Sequence, residues 1–174
     1  MLLPIITYPN KLLKTLSSDV AMFDEQLCAF LDNMYETMMS NNGIGLAAIQ
    51  VAMPIRALIL CIPNEEGNQD PANTLEIINP RIVKASGKIT YQEGCLSVPG
   101  FYEDIERHES LTLHYCNRHG VPCILQADDL LSIAIQHEID HLDGKLFIDH
   151  LSYNRRKKFE KELKKELKEK KQSL

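Results

Sequence analysis

The stretch Gln136-His137-Glu138-Ile139-Asp140-His141-Leu142-Asp143-Gly144 constrains this chain more than any other. It contains an H-E-x-x-H pattern and closes a run with helical spacing: Leu130, Leu131, Ile133, Ala134, Ile135, Ile139 and Leu142. Asp128 or Asp129 is the candidate N-cap, and Gly144 the candidate residue just past the C-terminus. Residues four apart share a helix face, so His137 and His141 can converge on one ion. Glu138, beside the first of them, can reach a water on that ion without ligating it, which is the arrangement for metal-assisted hydrolysis. The alternative is a chance pattern in a buried helix, because the pentapeptide specifies only His, Glu and His. A metal answers a difficulty that chance leaves open: two imidazoles and a carboxylate on an apolar helix need partners.

At 174 residues the chain is long enough for one domain with a substantial core. Apolar content of 44% and charged content of 25% are ordinary for a soluble globular protein. No apolar run approaches the ~20 residues of a membrane helix. The start, Met1-Leu2-Leu3-Pro4-Ile5-Ile6, has neither the basic region nor the small-residue cleavage site of a signal peptide. The cysteines, Cys28, Cys61, Cys95, Cys116 and Cys123, are odd in number and form no C-x-x-C pair, so a reduced, cytoplasmic setting is expected. A net charge of −5 conceals an asymmetry: residues 155–171 carry +6, and the rest of the chain −11.

Asp24 can cap a helix with the stripe Leu27, Phe30, Leu31, Met34 and Met38, ending at Asn41-Asn42-Gly43. Gly43–Gln50 follows, with Gly43 and Gly45 flanking Ile44; it is either a packing turn or a place where backbone passes close to a ligand. Ala57–Ile62 and Leu75–Ile78 read as strands, with a polar loop from Pro63 to Asn73 between them. Ile82–Tyr91 reads as a strand pair turning at Ser86-Gly87, and Glu93–Gly100 as a Gly/Pro loop. Ser110–Tyr115 and Val121–Gln126 read as a hairpin around Arg118-His119-Gly120, with His114 and His119 on the surface. From Tyr153 on, Phe159, Leu163 and Leu167 form a narrow apolar stripe on a highly charged helix. The expected class is α+β, with antiparallel or mixed sheets around the central H-E-x-x-H helix and a C-terminal helix. Residues 1–150 are expected to be a single catalytic metallohydrolase domain and 151–174 a basic helical tail.

A catalytic metal usually has a third protein ligand and an open position. In one zincin subgroup a further His follows the pattern, but that position holds Phe147, and no Met occurs after Met53 to supply that subgroup's Met-turn. Asp143, Asp149 and His150 are nearby candidates without a recognised spacing. Cys95 is the better one, a thiol between Glu93-Gly94 and Ser97 in a Gly/Pro loop. Thiolate plus two imidazoles makes a tetrahedral site with room for water.

Taken together, Gly43–Gln50, Glu93-Gly94-Cys95-Leu96-Ser97 and Gln136–Gly144 resemble, in order and separation, the motifs of the bacterial peptide deformylases. Ile78-Asn79-Pro80 is also similar to that family, and the likeness covers nearly the whole chain. The resemblance implies that Cys95, His137 and His141 hold the metal and that Glu138 is the general base and acid. It implies that the Gln50 amide and the Leu96 backbone N–H face the developing oxyanion. Ile44, Gly45 and Gly94 would line the peptide groove, together with Glu93, whose family partner is an Arg downstream; here Arg107 is the candidate. Ile133 and Ala134 would border a methionine pocket with His137. The chain departs from the family where an Arg is common near the groove mouth, which here is Gly100-Phe101-Tyr102, and at Leu12, another frequent Arg position.

The implied reaction is hydrolysis of the N-formyl group from the formyl-methionine of N-formylmethionyl nascent peptides, releasing formate. A Cys/His/His site by its chemistry suits Zn²⁺. The resemblance implies Fe²⁺ as the native ion, with Zn²⁺, Ni²⁺ or Co²⁺ as replacements. It also implies a ribosome contact through the basic C-terminal helix, for which rRNA phosphates are the natural partners; the plainer reading is a solvated helix packing on the body through Phe159 and Leu163. Two rival readings remain at this level: a small zinc endopeptidase, and a non-catalytic RNA-binding protein with a structural metal.

Overall fold

The structure, a computed structural model, describes residues 1–173; Leu174, the last residue of the expected tail, lies outside them. The first long element is helix α1, Glu25–Ser40, capped by the Asp24 carboxylate, which accepts the Leu27 N–H at 2.9 Å. Strands β1 (Gly45–Ala47), β2 (Ala57–Leu60) and β3 (Leu75–Ser86) follow, then the ribbon strands β4 (Ile89–Cys95) and β5 (Val98–Arg107). Strands β6 (Ser110–Cys116) and β7 (Pro122–Asp128) lead into helix α2, Asp129–Leu142. A 3₁₀ turn, Phe147–His150, connects it to helix α3, Tyr153–Gln172. The order β1-β2-β3-β6-β7 makes one sheet and β4-β5 another, with every strand pair antiparallel. The class is therefore α+β, as expected.

Strand β2 shows how the two halves share a core. Successive side chains point to opposite faces of a strand, so a strand covered on both faces is apolar throughout. Ala57 and Ile59 face α1, against Leu31, Met34 and Met38. Leu58 and Leu60 face α2, against Ile135 and Leu142. All four are fully buried. Helix α2 is thereby pressed onto the sheet along its whole apolar side, which explains why its polar residues must satisfy one another. Its carboxyl end stops at Gly144, whose positive φ of 71° and approach to the Lys14 backbone (a Cβ would lie 2.5 Å from that carbonyl oxygen) leave room for no side chain.

Two sequence expectations are corrected. Residues 82–91 are not a hairpin. Gly87 does turn the chain, at φ 69°, but β3 pairs with β6 (Ile82 opposite Leu113, Ser86 opposite Ser110), whereas β4 pairs with β5. The turn hands the chain from one sheet to the other, a choice made by long-range pairing. Residues 93–100 are not an open loop either: β4 runs to Cys95, a two-residue turn at Leu96-Ser97 reverses it, and β5 begins at Val98. Gly and Pro are tolerated because a two-stranded ribbon leaves each strand one edge with no ladder to feed.

A third cluster closes the ribbon. Val98 and Ile105 pack with Leu146, Phe147, Ile148 and Phe159. Phe159 from α3 sits edge-on against Phe101 at 4.6 Å between ring centroids and tilted against Tyr8 at 5.7 Å. Ion pairs from Arg155 to Glu103 and from Arg156 to Asp149 flank it. The opening turns of α3 are thus seated on the body, and beyond Leu163 its side chains are solvated. Phe159→Ala should lower unfolding stability by about 3–5 kcal/mol, the usual cost of truncating a core Phe; urea unfolding checks this, and a loss below about 1 kcal/mol would show that the helix is not anchored there.

Candidate metal centre and groove

The metal-ligand candidates come together as the sequence implies. One ligand atom each from Cys95, His137 and His141 lies within 4.8 Å of the others. The Cys95 Sγ is 3.3 Å from His141 Nε2. The two imidazoles come from adjacent turns of α2, with ring centroids 5.0 Å apart, and the thiol from the end of β4. A thiol and two imidazoles turned toward one another at a cleft floor fit a tetrahedral divalent cation with one position for water or substrate. A second observation supports the fit. Glu138 is 5% exposed, yet its Oε2 is buried without a hydrogen-bond partner, as a carboxylate reserved for a water at the ion would be.

Surrounding groups orient the candidate ligands. Glu93 accepts two bonds from Arg107, at 2.8 and 2.9 Å, and contacts His137 Nδ1 at 2.8 Å. Burial alone would raise the Glu93 carboxyl, but the hydrogen bonds from Arg107 and His137 outweigh it and hold the group below its usual range. The hydrogen of the His137 contact therefore belongs to Nδ1, so Nε2 is the ring nitrogen that would face an ion. Burial pushes His141 well below the usual histidine value, toward the neutral form in which an imidazole can ligate. Glu138 moves the other way: burial first, with the Glu93 and Asp140 charges adding to it, raises it to about 7.

Gln50 lies in the 3₁₀ turn Ala48–Val51 and is buried. Its Oε1 accepts the Ala47 N–H at 2.9 Å, while Nε2 donates to Ser97 Oγ at 3.1 Å and lies 3.6 Å from Cys95 Sγ. The amide is consequently oriented with its N–H₂ toward the thiol. The arm before the first helix laces these parts together: Ile6 N–H donates to the Gln50 carbonyl and Tyr8 N–H to the Ser97 carbonyl, both at 2.8 Å.

The cleft above the ligands has a volume of about 590 Å³. Ile44, Gly45, Gly94 and Leu96 border it, and Ile133 and Ala134 of α2 form an apolar wall beside His137. Glu93 also borders it, but its carboxylate is turned to Arg107 and His137. Gly45 is required by close approach: a Cβ there would lie 2.5 Å from Glu138 Oε1. Tyr102 lies across Gly94, where a Cβ would come within 2.6 Å of its ring. Tyr91 and Tyr102 stand exposed at the mouth.

Several groups took on roles that residue-by-residue reading did not assign. Ser97 accepts from the Gln50 amide and so orients it. Phe147, at the position where a third His is absent, stacks on His137 with centroids 6.1 Å apart. Asp140 and His150 join Arg107 rather than a metal. Asp143 pairs with Arg56 and Asp149 with Arg156, so neither approaches the ligand cluster. His114 and His119 are exposed, as expected, and all five cysteines are free thiols.

Residues 2–157 match the family described as polypeptide deformylase. A peptide deformylase of Wolinella succinogenes is 58% identical over 164 residues, covering 94% of this chain and 96% of that protein. Among solved structures, a peptide deformylase from Legionella pneumophila superposes with a TM-score of 0.88 at 35% identity, covering 98% of both chains. One from Ehrlichia chaffeensis, solved in complex with actinonin, gives a TM-score of 0.87 at 39% identity, covering 95% of this chain and 97% of that one.

Proposed function

The chain belongs to the polypeptide deformylase family, and from that premise we propose how its residues carry the reaction. It is a metallohydrolase that removes the N-formyl group from the N-terminal formyl-methionine of newly synthesised proteins and releases formate. The observation that carries the residue assignment is the convergence of Cys95, His137 and His141 beneath a buried, unpartnered Glu138 carboxylate.

Cys95, His137 and His141 would hold a divalent cation, which when bound supplies Lewis acidity, lowering the pKa of a bound water toward neutrality and polarising a carbonyl. Glu138, held near neutrality by burial, takes the proton of the attacking water and passes it to the leaving amine. The Gln50 side-chain N–H₂ and the Leu96 N–H donate to the oxyanion that develops on the formyl oxygen. Ile44, Gly45 and Gly94, with Glu93 behind them, shape the groove for the peptide backbone. Ile133 and Ala134 receive the methionine side chain. Glu138 approaches the Gly45 backbone so closely that no side chain fits there, and a recess this tight suits a formyl group better than a bulkier acyl group. Gln50→Leu is expected to lower kcat by about 10²–10³, the usual cost of one oxyanion donor, with KM little changed; steady-state kinetics on formyl-Met-Ala-Ser reads this directly, and an unchanged kcat removes Gln50 from the oxyanion site.

We assign Fe²⁺ as the native ion because the likeness to the deformylase family implies it, with Zn²⁺, Ni²⁺ or Co²⁺ as replacements that a thiolate beside two imidazoles also accepts. Protein purified without oxygen should then carry iron and lose activity in air as the thiolate oxidises. We assign residues 1–150 to the catalytic domain and 151–174 to a basic helical extension seated through Phe159. Its solvated, lysine-rich turns suit a salt-dependent contact with rRNA phosphates at the ribosome; binding that persists after deletion of residues 164–174 counts against that contact. Free cysteines and a nascent-chain substrate both fit the cytoplasm.

The deciding experiment is formate release from formyl-Met-Ala-Ser by anaerobically prepared, Fe²⁺- or Ni²⁺-loaded protein. Release by wild type and not by Glu138→Gln supports the assignment. Absence of release from protein holding one ion per chain overturns it.

A further inference from the structure

Behind the metal centre, polar side chains connect a ligand to the far surface of the molecule. His137 donates to Glu93 at 2.8 Å, and Glu93 is clasped by both Nε and NH2 of Arg107. The remaining arm of Arg107, NH1, reaches the Asp140 carboxylate at 2.6 Å. His150 Nε2 lies 2.7 Å from that same Asp140 Oδ2 and 3.4 Å from Arg107 NH1. Side chains of Glu93 and Arg107 are each 4% exposed and that of Asp140 17%, whereas His150 is 39% exposed at the edge of a polar recess. His150 is thus where the chain of hydrogen bonds meets solvent.

We propose that His150 is a positioning residue for the metal centre: it anchors Asp140, so that Arg107 stays seated on Glu93 and Glu93 keeps the His137 ring aimed at the ion. This role rests on the ligand assignment made above. The direction of each bond follows from chemistry. Arg107 is a donor only, so the Asp140 oxygen between it and His150 is the acceptor for both, and His150 contributes an Nε2–H. A buried guanidinium shared by two carboxylates is poised between them. Holding Asp140 at one fixed point by a second donor determines where Arg107 sits and how well it meets both oxygens of Glu93. Location strengthens the case. His150 ends the Phe147–His150 turn, and Phe147 at the other end stacks on the His137 ring itself. One short turn therefore supports the same ligand twice, by an aromatic face and by a hydrogen-bonded chain. Partners that orient a ligating His commonly affect metal affinity as well as rate.

The test uses Co²⁺ as the probe, with full-length protein, chelator competition for affinity and visible absorption for ligand geometry. His150→Leu removes the donor at a partly exposed position where an apolar side chain of similar reach is accommodated. His150→Gln retains an N–H that can reach Asp140, and Asp140→Asn loosens the chain from inside. The expected result is Co²⁺ affinity lowered about three- to tenfold in His150→Leu, less than the ~10–100-fold typical of a direct partner of a ligating His. Asp140→Asn should lose more, the absorption bands should shift in both variants, and His150→Gln should recover most of the affinity. Wild-type affinity and spectrum in His150→Leu, or a His150→Gln variant as impaired as His150→Leu, overturn the role of His150. Wild-type protein that takes up no Co²⁺, or Cys95→Ala with unaltered affinity and spectrum, overturns the ligand assignment itself and this role with it.

Discussion

Replacing Glu138 by Gln is expected to lower kcat by about 10²–10⁴, the range associated with a positioned general acid–base, while the protein keeps one metal ion per chain. The substitution is close to isosteric, which matters because the carboxylate is 5% exposed and hemmed in by the backbone at Gly45. The packing that holds α2 against β1 should survive, so a loss of rate can be assigned to the proton. A glutamine can still accept a hydrogen bond from water but cannot remove its proton at neutral pH. Formate release and metal content, measured on one preparation, separate the two effects. A kcat within about threefold of wild type would sink Glu138 as the base.

Cys95→Ala is expected to fail at the earlier step. Removing the thiolate leaves two imidazoles, and metal affinity should fall by more than the ~10–100-fold that loss of an outer partner costs. Activity should fall with occupancy and return only in part at high metal concentration. Cys95 also lies 3.6 Å from the Gln50 amide, so the residual enzyme would have a displaced oxyanion donor as well as a weak ion site. Metal titration of the variant followed by formate release reads both. This variant also discriminates between reaction classes: a zinc endopeptidase that drew its third ligand from elsewhere would tolerate the change. Full affinity in Cys95→Ala would falsify the three-ligand site.

The two predictions draw on parts of the molecule that were unequally visible in the chain. His137, Glu138 and His141 could be placed relative to one another with no knowledge of the fold, because four residues are about one turn of an α-helix and the flanking apolar spacing requires one. The Asp24 cap, the end of α1 at Asn41–Gly43 and the stop at Gly144 were legible for the same reason. In each case the interaction is completed within a few residues. Cys95 was a sound candidate from its residue type and neighbours, but only the likeness to a family tied it firmly to the histidines more than 40 positions away.

Where the reading failed, the deciding partner was distant. Nothing between Ile82 and Tyr91 states that β3 will pair with β6 and β4 with β5; the alternation of apolar residues is the same in a hairpin and in two separate sheets. The Gly/Pro content of Glu93–Gly100 marks a backbone that bends, and it took Val98 and Ile105 packing under Phe159 to make that segment a ribbon. Asp140 carried no role in the sequence, and His150 was a ligand candidate without a recognised spacing. Their contacts follow from Arg107 arriving beside them from β5, an encounter set by the register of the ribbon and the seating of α2 on the large sheet. Local backbone geometry thus wrote the two imidazoles and the proposed base into the chain directly, since a helix repeats over four residues. The approach of Cys95 to the histidines, the fixed Gln50 amide and the support behind His137 had to await tertiary packing, because hydrogen bonds and close contacts between separate segments exist only once burial has brought those segments together.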